Sequence, residues 1–590
     1  MKKTSNTKNK GLLIEEHDRM KAAKYISQFL EKKNNVLWGY IGGFNADILE
    51  HFCENTNNKF ILNYHEQAAS FAANAYAVIT ETPSIAIASG APSACNLVGG
   101  IANAYFDSIP CVFIVGSPHS LAIRKDKRIR QNAFEEIDIV HLVSDITKYA
   151  VALRDARDIK YELEKAFHIA TTGRKGPVLI DIPYNIAREE IDCANLRSFK
   201  PQTDLSLQLD IKKILAIFKD SKRPLILVGG GARSSKARML LRELLNKVEI
   251  PVVASLCGLD VLSHDHSCYL GFIGHYGNRY ANIAVANADC LVVLGSRLDE
   301  RQLGGYRTKL NDNVKVIRVD IDPHELGRKF RETISIESSV ESFLTSLTKA
   351  NYQNINFDSW VRIVQQWKKR YPSYISDSKI LSANNFMHKI SDYLPEDCII
   401  CADVGQNQMS VAQAIRLDKN RRLLNSAGYG SMGFSLPAAI GAAYAKPSTV
   451  ILSVNGDGGI QMNIQELHTI KRDNLPIKII VLNNSCLGMI RKTQEKLFKG
   501  KTFVSVDGYS LPNFESVAKA YGIKYLKITR ISEDQKLENH LRSNEPCFIE
   551  VVLPTKMVNI PEPGDTIDGQ YPLLTKFEKI QINNELKHLV

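Results

Sequence analysis

The strongest constraint on this chain is a short, largely apolar run, Val450-Ile451-Leu452-Ser453-Val454, that stops at Asn455-Gly456-Asp457-Gly458-Gly459. A run of that length reads as a buried strand of a parallel sheet. Met462 to Ile470 has helical spacing, and Ile477 to Leu482 reads as the next strand, closing at Asn483-Asn484. Strand, loop, helix and strand in that order put Asp457 and Asn484 at the C-terminal ends of neighbouring strands, where open α/β sheets bind ligands. The glycines allow backbone amides to approach a phosphate group, and the Asp and Asn oxygens suit a hard cation such as Mg²⁺. The plain alternative is two ordinary strand-to-helix turns that happen to contain Asp and Asn.

The same alternation runs through the chain. A length of 590 residues implies about three or four domains. The predicted fold class is α/β, with three consecutive doubly wound parallel-sheet domains. The first, residues 12–195, holds Ser84-Ile85-Ala86-Ile87-Ala88 and Cys111-Val112-Phe113-Ile114-Val115. The second, 206–350, opens on Pro224-Leu225-Ile226-Leu227-Val228-Gly229-Gly230-Gly231, and the third covers 380–555. Residues 1–11 read as a flexible tail without the apolar core of a signal peptide. A charged and aromatic stretch, Asn351 to Lys379, reads as a connector, and 556–590 as a Pro/Gly-rich tail that could act as a lid.

Bulk properties exclude several classes. No apolar stretch approaches the ~20 residues that span a bilayer, so no membrane partner is expected. The net charge of +12 is spread along the chain without a nucleic-acid motif, so no nucleic-acid partner is expected. Eleven scattered cysteines fit a reducing cytoplasm, and Cys398-Ile399-Ile400-Cys401 reads as a buried strand, not a redox pair.

From about Ala22 to Leu553 the chain resembles the thiamine-diphosphate-dependent enzymes, in the acetolactate synthase (acetohydroxyacid synthase) large-subunit branch. The resemblance implies pyrimidine-binding, central Rossmann-like and diphosphate-binding domains, in that order. It makes Glu66, in Tyr64-His65-Glu66-Gln67, the carboxyl group that meets N1′ of the cofactor's aminopyrimidine. An apolar pocket around that carboxyl would favour sharing a proton with the ring. Met432, in Gly430-Ser431-Met432-Gly433, would support the bent cofactor. Gly405, Gln406 and Asn407 would hold the diphosphate with Gly430, Gly456, Gly458, Gly459 and Gly488; Asn407 stands where relatives often have His and keeps a donor. Asp457, Asn484 and the backbone carbonyl of Cys486 would be the Mg²⁺ ligands. In the central domain, Gly229, Gly230, Gly231, Ser255, Leu256, Gly295, Arg297, Asp299, Arg301, Asp320 and Ile321 match segments that bind FAD in this branch without redox turnover. The resemblance also implies a homodimer or homotetramer.

The acceptor side departs from the branch. Thr493 replaces a Trp that shapes acceptor choice, Phe44 after Gly43 replaces a small residue, and Phe134-Glu135-Glu136 replaces Phe-Gln-Glu. Lys148 is placed with these as a substrate residue. The segment before Phe134 is longer than usual and carries Arg124, Lys125, Lys127, Arg128 and Arg130. A basic entrance would favour an anionic acceptor larger than pyruvate, such as a nucleotide-linked keto sugar; the plain alternative is a solvated loop. The function expected is a decarboxylating carboligase that condenses a 2-oxo acid, pyruvate first among them, with a second carbonyl compound. Its rivals are acetyl transfer to a keto sugar nucleotide and decarboxylation without ligation.

Overall fold

A computed structural model describes residues 19–201, 210–303, 313–327, 332–375, 381–530, 534–556, 561–564 and 566–589. The expected tail at 1–11 lies outside them. The chain forms two compact units, one N-terminal and one running to the C-terminus.

The N-terminal unit is built on β2 (Val36–Gly39), β3 (Lys59–Leu62), β4 (Ser84–Ser89), β5 (Cys111–Ser117), β6 (Tyr149–Ala152) and β7 (Val178–Pro183). They form one parallel sheet in the order β3-β2-β4-β5-β7-β6. Two short strands, β1 (Arg19–Lys21) and β8 (Glu190–Asp192), pair antiparallel beside it. β5 and β7 are buried along their whole length, which is why they read as continuous apolar runs.

The second unit carries two more six-stranded parallel sheets. The central one contains β9 (Pro224–Val228), β10 (Val252–Ala254), β11 (Tyr269–Phe272), β12 (Cys290–Leu294), β13 (Lys315–Asp320) and β14 (Ile334–Glu337). Its order is β11-β10-β9-β12-β13-β14. The last contains β15 (Ile399–Ala402), β16 (Arg422–Asn425), β17 (Ile451–Gly456), β18 (Ile477–Asn483), β19 (Lys524–Ile528) and β20 (Cys547–Val552), ordered β16-β15-β17-β18-β20-β19. One apolar core runs through both sheets, from Ile214 to Leu553. Arg233 and Arg422 both bind the buried Asp260 carboxylate and tie the two together.

Each sheet has a switch point where the chain leaves one side of its first strand for the other: between β2 and β4, between β9 and β12, and between β15 and β17. The loops leaving these pairs diverge and open a crevice at the carboxyl ends of the strands. All candidate residues at Gly43, Gly229, Gly295, Gly405 and Gly456 leave such ends.

Two stretches carry structure that the sequence reading left undescribed. The stretch read as a connector folds into a helix, Asp358–Arg370, with Trp360, Val361, Val364 and Trp367 buried on one face. That spacing is helical, and the charged residues around it fill the solvent face. The tail read as a lid ends in a helix, Lys576–Lys587, whose Ile582 joins Trp360 and Trp367 in an apolar cluster. Glu585 accepts from Trp367 Nε1 at 2.7 Å and pairs with Arg370 at 2.6 Å. Residues 566–589 are therefore docked on the central domain. All eleven cysteines are free, and Cys398 and Cys401 are buried in and beside β15. Among the described residues no helix is long and apolar enough to cross a membrane.

Candidate functional site

The register of β17 on β18 pairs Gly456 with Leu482, so the residues just beyond, Asp457 and Asn484, meet. Asp457 Oδ2 accepts the Asn484 backbone N–H at 3.0 Å. Asn484 Oδ1 lies 3.3 Å from Asp457 Oδ2 and 2.9 Å from the Cys486 carbonyl oxygen. Its amide nitrogen donates to Gln406 Oε1 at 3.1 Å, and the Cys486 N–H donates to Asn484 Oδ1 at 3.3 Å. Turned over, the amide would donate to both of the oxygens it now faces. In either orientation the Asp457 carboxylate, the Asn484 amide and the Cys486 carbonyl converge, and together they offer oxygen donors that suit a hard cation. Asp457 is 2 % exposed. Burial pushes its carboxyl up to about 6, against the hydrogen bonds from Tyr509 and backbone amides that favour the ionised form. A neighbouring cation would offset that cost. Among the described residues no cluster of three His, Cys, Asp or Glu exists; this donor set has one carboxylate, one amide and one carbonyl.

Two helices begin at this crevice without a side-chain cap: Gln406–Ala414, preceded by Gly405 at φ 135°, and Gly488–Leu497. Uncapped first-turn amides form an anion site. The glycines are small for definite reasons. A Cβ on Gly459 would stand 1.8 Å from Asp403 Oδ2, and one on Gly488 would stand 2.0 Å from Gln406 Oε1. A Cβ on Gly458 would stand 2.8 Å from Leu487 Cδ2, 3.1 Å from Tyr509 Oη and 3.8 Å from Met432 Cε, so Met432 borders the same loop. Gly430, at φ 74°, faces open space.

Asn407 is a correction. Its amide nitrogen donates to the Asp403 carbonyl at 2.6 Å and points to the Val454 carbonyl at 3.5 Å. Both side-chain donors are spent on the backbone, so the Asn407 side chain braces the two loops, and only its first-turn backbone N–H is left to face a ligand. Its Oδ1 faces Gly405 and Gly456.

In the N-terminal unit, Glu66 opens the helix Glu66–Thr80 behind β3. Its Oε1 accepts from Ser93 Oγ at 2.7 Å and its Oε2 from Asn96 Nδ2 at 2.8 Å. Within its own unit, then, the carboxyl group is held by polar donors and not by the apolar pocket expected. A Cβ on Gly43 would meet nothing within 4 Å, and Phe44 stacks on Tyr184 with centroids 5.8 Å apart while its N–H donates to Ser89 Oγ. Glu135, at φ 56°, places Oε2 2.0 Å from where a Gly90 Cβ would be. Phe134 is 77 % exposed.

Lys148 is a second correction. It precedes β6, at the end of the sheet opposite these loops, and its Nζ donates to the carbonyls of Ile169 and Thr172. It closes the C-terminus of the helix Ile159–Thr171 and packs on Gly176. The basic segment is also largely committed. Arg124 pairs with the buried Glu136, whose Oε2 accepts the N–H groups of Arg124, Asn132 and Ala133. Arg128 pairs with Asp126, and Lys127 lies 3.7 Å from Asp138. Lys125 and Arg130 have no ion-pair partner among the described residues. Thr493 is exposed and donates to the Met489 carbonyl of its own helix.

The central candidates gather at one sheet end. Gly229 and Gly231 donate to the carbonyls of Leu294 and Gly295, and a Cβ on Gly229 would meet Gly295 O at 2.2 Å. These glycines let two loops pack backbone on backbone; Gly230 is the one with room above it. Ser255 donates to Val228 O, while Leu256 accepts from Asn425. Arg297 lies 3.7 Å from Asp299, and Arg301 reaches the Ala427 carbonyl at 3.3 Å. Asp320 is buried and caps the Asp322 N–H, with Ile321 exposed beside it.

Sequence reading missed Ser93, Asn96 and Tyr509. The Tyr509 hydroxyl donates to Asp457 Oδ1 at 3.0 Å from a loop with no motif around it.

Comparison with known proteins agrees with this geometry. Residues 20–142 match the N-terminal TPP binding domain of thiamine pyrophosphate enzymes, 211–347 the central domain and 403–551 the C-terminal TPP binding domain. That is the domain order of a thiamine pyrophosphate enzyme. The acetolactate synthase large subunit of Cyanidium caldarium is 35% identical over 553 residues, covering 90% of this chain and 92% of the relative. The Lactococcus lactis large subunit is 34% identical, with 88% and 90% covered. Acetolactate synthase isozyme 2 large subunit of Escherichia coli is 32% identical, with 90% and 95% covered. The chain belongs to the thiamine pyrophosphate enzymes and, among them, to the acetolactate synthase large-subunit family.

Proposed function

We propose that this chain is a thiamine-diphosphate- and Mg²⁺-dependent carboligase of the acetolactate synthase type. It decarboxylates a 2-oxo acid, pyruvate in the first instance, and joins the remaining two-carbon unit to a second carbonyl. The observation that carries this is the convergence of the Asp457 carboxylate, the Asn484 side-chain amide and the Cys486 carbonyl beside two uncapped helix starts. When bound, thiamine diphosphate supplies a nucleophilic carbon and a sink for the electron pair left by CO₂. The chain supplies the rest. The first-turn amides of Gln406–Ala414 and Gly488–Leu497 would hold the diphosphate, and Asp457, Asn484 and the Cys486 carbonyl would hold Mg²⁺. Met432, beside the Gly458 loop, would pack against the cofactor. Glu66, held by Ser93 and Asn96, moves a proton at N1′ of the aminopyrimidine. Two fragments held together react as a near-unimolecular pair, and exclusion of water keeps the product from being released as aldehyde.

Glu66 and Asp457 belong to different domains, and the resemblance pairs the first domain of one chain with the third of another, in a homodimer or homotetramer. The loops at Gly230, Arg297, Asp320 and Ile321 would hold FAD without redox turnover, and a cytoplasmic setting accords with eleven free thiols. The larger anionic acceptor draws less support, because Arg124 and Arg128 are spent on Glu136 and Asp126. Release of labelled CO₂ from [1-¹³C]pyruvate should require both thiamine diphosphate and Mg²⁺. Release that persists after exhaustive removal of both would contradict the reading, as would no release with both present.

A further inference from the structure

We propose that Tyr509 is a positioning residue that holds Asp457 ready for the cation. This rests on the metal reading of the site above. Asp457 has two carboxylate oxygens with separate tasks. Oδ2 faces the Asn484 side-chain amide and accepts the Asn484 backbone N–H, whereas Oδ1 accepts the Tyr509 hydroxyl at 3.0 Å. Among the described residues, Tyr509 is the one side-chain donor on this carboxylate.

The hydroxyl is brought there by a closed circuit of hydrogen bonds. The Leu487 N–H, one residue beyond Cys486, donates to the Ser505 carbonyl at 2.9 Å. Gln494 Nε2, on the helix that follows, donates to the Phe503 carbonyl at 2.8 Å, and Ser505 Oγ bonds Gln494 Oε1. The Val504 N–H donates to the Asp507 carbonyl at 2.8 Å and the Tyr509 N–H to the Val506 carbonyl at 3.1 Å. Tyr509 then returns to Asp457. The loop bearing the amide and carbonyl donors is thereby locked to the loop bearing the carboxylate. Gly458 is part of the design, since a side chain there would stand 3.1 Å from the Tyr509 oxygen.

A carboxylate that is to receive a cation has to be held in direction, and the Tyr509 bond does this at Oδ1. Partners of metal-ligating carboxylates typically contribute 10–100-fold to metal affinity. The test titrates Mn²⁺, as a paramagnetic stand-in for Mg²⁺, into full-length protein with thiamine diphosphate present, reading free Mn²⁺ by electron paramagnetic resonance. Tyr509→Phe should weaken binding roughly tenfold or more, while the urea midpoint of the metal-free protein stays at the wild-type value. Tyr509→Leu should weaken binding by a similar factor, because the hydroxyl and not the ring acts. Wild-type affinity in Tyr509→Phe, or loss confined to Tyr509→Leu, would overturn the proposal while leaving the metal reading intact. Absence of Mn²⁺ binding by the wild type would overturn both.

Discussion

Ser93 Oγ stands 2.7 Å from Glu66 Oε1, a contact between the first helical turns behind two strands, β3 and β4, that flank β2. With Asn96 on the other oxygen, the carboxylate is fixed in direction before any ligand arrives. Glu66→Gln keeps the shape and the Ser93 contact but removes the exchangeable charge. Turnover should fall roughly 10²–10⁴-fold, with the thiamine diphosphate dissociation constant changed only a few-fold. Steady-state kinetics and a cofactor titration on the same preparation check this. Near-normal turnover would remove Glu66 from the chemistry.

Gly459 lies against a carboxylate that cannot retreat. Asp403 is fully buried, and its Oδ1 accepts the Phe434 N–H at 2.9 Å. Gly459→Ala would set a methyl group 1.8 Å from Asp403 Oδ2. Overpacking of that kind costs about 1–3 kcal/mol, so the variant should unfold at lower urea and bind thiamine diphosphate more weakly. Gly500→Ala is a fair comparison for strain alone, because its φ is 84° and nothing lies near its Cβ.

Much of this was legible in the sequence, for a physical reason. Strands buried on both faces must be largely apolar, so β5, β7, β9, β12 and β17 stand out as runs, and many of the candidate site residues fall at the carboxyl ends of such strands. Asp457 and Asn484 could be read because register and strand length alone bring them together. Lys148 and Asn407 were misjudged because their roles depend on which way a side chain turns. The carbonyls that Lys148 reaches belong to the end of a helix, and those that Asn407 reaches belong to its own loop and to β17. The docked C-terminal helix was hidden because Glu585 finds Trp367 only through tertiary packing. Tyr509 carried no local signal at all.

Lys148 offers a check on that correction. Burial lowers its ammonium to about 8, and it serves carbonyls at a helix end. Lys148→Met should leave KM and kcat for pyruvate within about twofold while shifting the thermal midpoint by several degrees, a change on the order of 1 kcal/mol. A large KM effect with unchanged stability would return Lys148 to the substrate site.

Asp181 gives a pH signature. It is 5 % exposed on β7, and burial raises its carboxyl to about 6. A carboxyl raised in the folded state favours folding below its unfolded value near 3.9, and that contribution disappears as pH rises through about 6. Wild-type stability should carry this fall of roughly 2–3 kcal/mol between those limits. Asp181→Asn, which never ionises, should lack it. Urea titrations at several pH values compare the two slopes; identical slopes would contradict the assignment.

The most direct test of the central claim is product analysis with [2-¹³C]pyruvate, thiamine diphosphate and Mg²⁺, followed by NMR. The account predicts that labelled carbon from two pyruvate molecules becomes joined in acetolactate, with loss of one CO₂. Acetaldehyde as the sole product, or unchanged pyruvate with both cofactors bound, would contradict it.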